Sequence, residues 1–153
     1  MNIIKEHIYT EEEFEEIQKN FNGKAEFDNG SKCEPFDEQI EIIFRDKEEV
    51  YKYKPDIFVM CENSTKQGES FTSTPIIIFE IVSRSTSSHD YITKLAVYQK
   101  FKVQEYNIVE QSGKIIQYSL VDNQYIIRDV YKNDDIYVSS VFEDLKISLK
   151  DIY

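Results

Sequence analysis

Three residues of this chain could together hydrolyse a phosphodiester bond with the help of a divalent cation: Asp56, Glu80 and Lys94. Two carboxylates can hold the cation, which polarises a phosphate and lowers the pKa of a bound water. A lysine beside them can orient the nucleophile or stabilise developing negative charge. Asp, Glu and Lys are common residues, so the triplet alone is a weak signal, and the same side chains could form a purely structural ion-pair network.

Glu80 lies inside the most apolar stretch of the chain, Pro75–Val82, which reads P-I-I-I-F-E-I-V. A short, β-branched run of this kind predicts a strand that is buried on both faces of a sheet. Alternation places Glu80 on one face with Ile76, Ile78 and Val82. Burying a carboxylate there is costly without a cation or hydrogen-bond donors. Either the sheet ends at this point and Glu80 reaches water at its rim, or Glu80 has a partner.

Two further elements must bring the other residues to this strand. Asp56 directly precedes a short apolar run, Ile57–Met60, which predicts a neighbouring strand. Lys94 lies within a helix predicted from about Ser88 to Phe101, which a capping-box pattern opens. Periodicity places one set of residues on one side of this helix (Ile92, Leu95, Ala96 and Gln99) and another set on a different side (Asp90, Lys94, Tyr98 and Phe101).

The remaining patterns predict one α/β domain over residues 1–153, of which 1–30 form a divergent acidic segment. No repeat or linker interrupts the chain. The other predicted elements are a helix capped by Thr10 and ending near Lys19, strands at Gln39–Phe44, Val50–Tyr53 and Val103–Val109, a polar loop at Glu62–Ser73, and a hairpin that joins Lys114–Val121 to Gln124–Tyr131.

Composition predicts a cytoplasmic protein with no membrane association. No apolar run approaches the length that spans a bilayer, and Met1–Lys19 is too acidic for a signal peptide. The two cysteines, Cys33 and Cys61, show no metal-ligand spacing, and we expect both to be reduced thiols.

The negative charge is concentrated at one end of the chain. Residues 1–50 carry six Lys or Arg and fifteen Asp or Glu, a net charge of −9 out of −11 for the whole chain. A polyanionic substrate would be repelled by this first third and would feel little net field from the rest.

Several ordered motifs resemble one known family over about residues 31–153. The motifs are P-D-I-F-V at Pro55–Val59, I-F-E-I-V-S-R-S-T at Ile78–Thr86, Asp90 followed by Lys94-Leu95 and Tyr98, V-Q-E-Y-N-I-V at Val103–Val109, and the tail Val130–Leu149. Their wording and order are similar to the Uma-type putative restriction endonucleases of the PD-(D/E)XK nuclease-like superfamily.

The resemblance implies a mixed central sheet flanked by helices, with a C-terminal β-hairpin. It also implies that Asp56 and Glu80 are ligands of Mg²⁺ or Mn²⁺. The superfamily usually has a lysine at the position of Val82, and here Lys94 on the helix would supply that charge instead. The segment Ala25–Gly30 is similar to an acidic strand-and-turn piece of the family, which makes Glu26 a further candidate site residue.

Two functional hypotheses follow, with a third in the background. The chain could be an endonuclease that cuts DNA or RNA, and a homodimer is compatible with this. It could instead be a catalytically idle inhibitor of the anti-restriction or anti-CRISPR kind, because a helix usual in the family is missing before Cys33 and an acidic surface can occupy the basic channel of a nucleic-acid-binding protein complex. The inhibitor hypothesis assumes that the glutamates of Glu11–Glu16, including Glu13, are solvated. The third possibility is an inert remnant of a nuclease.

Overall fold

The computed structural model describes residues 11–19, 26–27, 31–82 and 88–151. Residues 11–19 form helix α1. The elements that follow are β1 (Glu26–Phe27), β2 (Ser31–Asp37), β3 (Ile42–Arg45), β4 (Val50–Tyr53), β5 (Ile57–Cys61), β6 (Lys66–Gln67), β7 (Ser70–Phe71), β8 (Ile77–Val82), α2 (Ser88–Lys100), β9 (Glu105–Glu110), β10 (Ile115–Val121), β11 (Gln124–Tyr131), β12 (Ile136–Val138), β13 (Lys146–Ser148) and a 3₁₀ turn at Leu149–Asp151.

The described strands form one large mixed sheet and two small ones. The large sheet has the order β1-β2-β5-β8-β9-β10-β11, in which β8 and β9 are parallel and the other neighbours antiparallel. The small sheets have the orders β4-β3-β7-β6 and β12-β13. The predicted fold class, a mixed central sheet with helices and a C-terminal hairpin, is confirmed.

Both faces of the central strand β8 are covered, as its apolar sequence predicts. On one face Phe79 packs in a cluster with Ile17 of α1 and with side chains of the C-terminal segment. On the other face Ile78 packs in a cluster with Val97 and Tyr98 of α2. The two helices therefore lie on opposite sides of the large sheet, and Glu80 alternates onto the α2 side with Ile78.

The strands of the N-terminal half of the chain were predicted less well. The strand at Ser31–Asp37 was not predicted, because S-K-C-E-P-F-D mixes polar, charged and apolar residues without alternation. It is held by backbone pairing to its neighbour β5. The strand predicted from Gln39 begins only at Ile42, and the predicted loop Glu62–Ser73 contains two short paired strands, β6 and β7.

The prediction of two reduced thiols is wrong in this structure, because Cys33 and Cys61 form a disulfide. The two residues lie directly opposite each other on antiparallel strands β2 and β5. The next pair along the ladder, Lys32 and Glu62, is hydrogen-bonded, since Glu62 N donates to Lys32 O at 2.8 Å. Because hydrogen-bonded and non-hydrogen-bonded pairs alternate, Cys33 and Cys61 form a non-hydrogen-bonded pair. Side chains come closest at such pairs. The bridge could not be predicted because the pairing of β2 was not.

Helix α1 buries one of the glutamates that were expected to be solvated. Glu11, Glu12 and Glu15 are exposed, as predicted, but Glu13 is fully buried. Glu13 lies four residues before Ile17, so both share the helix face that packs on the sheet. Within the described ranges, neither helix is both long and apolar enough to cross a membrane.

Candidate active site

Asp56 and Glu80 meet because their strands are antiparallel neighbours. Ile57 of β5 pairs with Phe79 of β8, and continuing this register places Asp56 opposite Glu80. The contact is reciprocal. Asp56 N donates to Glu80 Oε1 at 3.0 Å, and Ile81 N donates to Asp56 Oδ2 at 2.6 Å. Each carboxylate is therefore oriented by a backbone amide of the opposite segment.

Lys94 reaches this pair from helix α2. Its Nζ lies 2.9 Å from Glu80 Oε2, where the lysine side chain is 25% exposed and the glutamate side chain 7% exposed. The buried residues Val97 and Tyr98 fix the helix against the sheet, and Lys94 lies one turn before Tyr98. Of the two possibilities for Glu80, the second therefore holds: its carboxylate is buried and has Lys94 as a partner, and it does not reach water at the rim of the sheet.

Two tyrosines that sequence reasoning did not assign to the site complete its wall. Tyr98 OH donates to Glu80 Oε2 at 3.4 Å. Lys94 Nζ lies 5.6 Å from the ring centroid of Tyr53, and the Tyr53 ring meets Tyr98 edge-on at 5.9 Å. The four-residue spacing of Lys94 and Tyr98 was a signal in the sequence. Tyr53 lies three residues before Asp56, but no sequence pattern indicated that its ring turns towards the site, because β4 belongs to a different sheet.

The pKa of Asp56 is raised from 3.8 to about 7. Burial is the main cause and the charge of Glu80 the second, while the Ile81 amide and Lys94 act in the opposite direction and Glu38 adds a small further rise. The pKa of the Tyr98 hydroxyl is held well above its ordinary value by burial and by Glu80, so this hydroxyl remains a hydrogen-bond donor. Asp56 thus takes up a proton near neutral pH when no cation is present.

We expect the metal-free protein to lose stability as pH rises from about 4 to about 7, because over this interval Asp56 is protonated in the folded state but ionised in the unfolded chain. The shift of about three pKa units sets an upper limit of about 4 kcal/mol on this loss. Urea unfolding in EDTA between about pH 5 and pH 8 should show it, and Asp56→Asn should flatten the difference. Equal pH dependence in the wild type and in Asp56→Asn would contradict the assignment.

The two carboxylates fit a divalent cation of the Mg²⁺ type. Mg²⁺ in nuclease-like sites is usually held by one or two carboxylates, and waters and substrate phosphates complete its shell. Across the described residues, no group of three or more His, Cys, Asp or Glu side chains is arranged to hold a metal. A cation at Asp56 and Glu80 would offset the mutual repulsion that contributes to the raised pKa of Asp56.

The structure brings together three of the four candidate residues, Asp56, Glu80 and Lys94. The backbone of Glu26 lies in β1 and pairs with Lys32, but its side chain is outside the described part of the chain, so its place in the site stays a prediction. The motif segment Ser83–Thr86 also lies outside the described residues.

Comparisons with known proteins identify the family of this chain and a solved structure with a similar fold. The sequence model of the Uma2 family, described as "Putative restriction endonuclease", matches residues 12–150. The fold is similar to the crystal structure of a putative nuclease belonging to DUF820 from Anabaena variabilis ATCC 29413, with a TM-score of 0.71 and 16% sequence identity over 97% of this chain and 79% of that chain. A search of curated proteins found no match.

Proposed function

This chain belongs to the Uma2 family of putative restriction endonucleases, and from that premise we propose that it hydrolyses phosphodiester bonds of DNA or RNA with the help of Mg²⁺ or Mn²⁺. The observation that carries the proposal is the reciprocal pairing of Asp56 and Glu80, with Lys94 Nζ at 2.9 Å from Glu80. Two carboxylates and a lysine on the same side of a sheet are the minimum set for this chemistry.

Each residue has a separate role in the proposed reaction. Asp56 and Glu80 would hold the cation, which when bound polarises the scissile phosphate and makes a coordinated water more acidic. Lys94 keeps a positive charge beside these carboxylates, where it can orient the attacking water or stabilise negative charge that develops on the phosphate. Burial of Glu80 and its neighbours limits competing water, which strengthens these electrostatic effects.

A second candidate function, inhibition of a nucleic-acid-handling defence complex, is favoured by one observation. The exposed glutamates Glu11, Glu12 and Glu15 lie on α1, which packs on the face of the sheet opposite to α2 and Lys94. The two functions therefore use different surfaces and can be separated by mutation. Glu13 is buried and must be left out of any charge reversal.

We expect Mg²⁺ or Mn²⁺ to raise the melting temperature of the wild-type protein, because only the folded state presents both carboxylates together. At a hundredfold excess over the dissociation constant, the stabilisation is about 2.7 kcal/mol. Differential scanning calorimetry over a series of metal concentrations measures this shift.

The controls for this shift are two single substitutions. Glu80→Ala should abolish it. Glu110→Ala, which removes a half-exposed carboxylate of the adjacent strand β9, should leave it intact. Equal metal responses in the wild type and in Glu80→Ala would show that the cation binds elsewhere.

A further inference from the structure

Two aromatic side chains surround the Lys94–Glu80 ion pair from different elements. Tyr98 of α2 contacts the carboxylate through its hydroxyl, and Tyr53 of β4 contacts the ammonium through its ring. We propose that Tyr53 and Tyr98 are positioning residues that hold this ion pair in its catalytic geometry, Tyr53 through its ring face and Tyr98 through its hydroxyl. The expected effect of the tyrosines on cleavage rests on the proposed function. Their expected effect on the position and reactivity of the Lys94 ammonium does not.

The hydroxyl of Tyr98 is fixed in space by the packing of its ring. The ring is completely buried, and its centroid lies 5.0 Å from that of Tyr106 and 5.6 Å from that of Phe44. Since Asp56 N already holds Glu80 Oε1, the Tyr98 hydroxyl and Lys94 determine where Oε2 lies. The carboxylate is thus held at both oxygens. Its orientation is fixed before substrate or cation binds, so little further orientational freedom is lost on binding.

The ring of Tyr53 adds a second restraint on the Lys94 side chain beside its ion pair with Glu80. A lysine side chain has four rotatable bonds, and ordering it carries a substantial entropy cost. An aromatic face attracts an ammonium group and narrows this freedom. The Tyr53 ring is itself held by stacking on Tyr51 at 6.4 Å and by the edge of Tyr98. The four-stranded small sheet therefore contacts Lys94 through the Tyr53 ring.

Substitution by phenylalanine should lower kcat at Tyr98 but leave it nearly unchanged at Tyr53. Tyr98→Phe removes the hydroxyl, and we expect kcat to fall about threefold to fivefold, since the 3.4 Å contact to the Glu80 carboxylate is longer than a strong charge-assisted hydrogen bond. Tyr53→Phe keeps the ring face and should stay within about twofold of wild type, whereas Tyr53→Leu should lower kcat about fivefold. The KM for an oligonucleotide should change little in all three variants, because neither tyrosine is assigned a substrate contact.

The matched control is Tyr125→Phe. Tyr125 OH donates to Val103 O at 2.7 Å, so this variant also loses a tyrosine hydroxyl hydrogen bond in the same cluster, here a partly buried one whose acceptor is a backbone carbonyl and not Glu80. It should lower the melting temperature about as much as Tyr98→Phe and leave kcat unchanged. If kcat falls in proportion to melting temperature across all four variants, the tyrosines have a structural role only and the inference is wrong.

A second readout needs neither cleavage nor metal. Acetylation of Lys94 by acetic anhydride, followed by mass spectrometry, reports how well its ammonium is held. We expect labelling to be several-fold faster in Tyr53→Leu and Tyr98→Phe than in wild type, and near the wild-type rate in Tyr53→Phe. This pattern in a protein that cuts nothing would refute the proposed function and support the positioning roles. Active wild-type protein with equal Lys94 labelling and equal kcat in all variants would refute the positioning roles alone.

Discussion

Glu80→Gln is expected to lower kcat for nucleic acid cleavage by about a hundredfold to a thousandfold, the usual effect of removing one preorganised electrostatic group. The amide keeps the size of the side chain and can still accept from Asp56 N through its oxygen. It carries no charge, so it binds a divalent cation poorly and replaces the charged group that lies 2.9 Å from Lys94 Nζ by a neutral one. Steady-state kinetics with a labelled oligonucleotide in saturating Mg²⁺ or Mn²⁺ measures the loss.

Two further variants show whether this loss belongs to the site. Asp56→Asn should give a loss of similar size, because the two carboxylates act on the same cation. Glu110→Gln, on the neighbouring strand, should remain close to wild type. Circular dichroism should show that all three variants are folded. Full activity in folded Glu80→Gln would contradict the assignment of the site.

Glu105→Ala is expected to lower the free energy of unfolding by about 3–5 kcal/mol, because several buried donors lose their acceptor and each buried donor left unsatisfied costs about 1–3 kcal/mol. Glu105 is fully buried on the face of the sheet away from α2. Its carboxylate accepts from many donors: Asn107 Nδ2, Gln117 Nε2, Tyr137 OH, Ser139 Oγ, and both N and Oγ of Ser140. These donors would lose their acceptor together.

The network ties the C-terminal segment to the sheet, because Tyr137, Ser139 and Ser140 follow the hairpin while Glu105 begins β9. Urea unfolding should therefore show a lower midpoint with little change in slope. Glu110→Ala, at the other end of the same strand, should change stability by only about 0.5 kcal/mol. A loss below about 1 kcal/mol in Glu105→Ala would mean that the donors find other acceptors or water.

The elements that position the site could be predicted from sequence because their signals are local. The run Pro75–Val82 combines strong strand propensity with one carboxylate, and the spacing from Ser88 to Lys94 follows a clear helix start. The hairpin was predicted well for the same reason. Its turn residues Asp122 and Asn123 both have positive φ, which is the conformation that such turns require.

Features that depend on pairing between distant segments could not be predicted. The disulfide requires that β2 lie beside β5, and β2 has no strand pattern of its own. The role of Glu105 depends on a segment more than thirty residues later in the chain. In α2, periodicity separated two sides but did not decide which of them is buried. Ile92 on the first side is 60% exposed, whereas Tyr98 on the second side, with Lys94, is fully buried.

The most direct test of the central claim is cleavage of labelled DNA and RNA oligonucleotides by wild-type protein and by Glu80→Gln, purified side by side. The proposed function predicts that wild type cuts in Mg²⁺ or Mn²⁺, stops in EDTA, and that Glu80→Gln cuts at most about one-hundredth as fast. Equal cutting by both proteins would contradict the assignment of Glu80 to the active site. If neither protein cuts, while wild type blocks a defence nuclease in a salt-sensitive way that Glu11, Glu12 and Glu15 control, the claim is contradicted and the chain is an inhibitor.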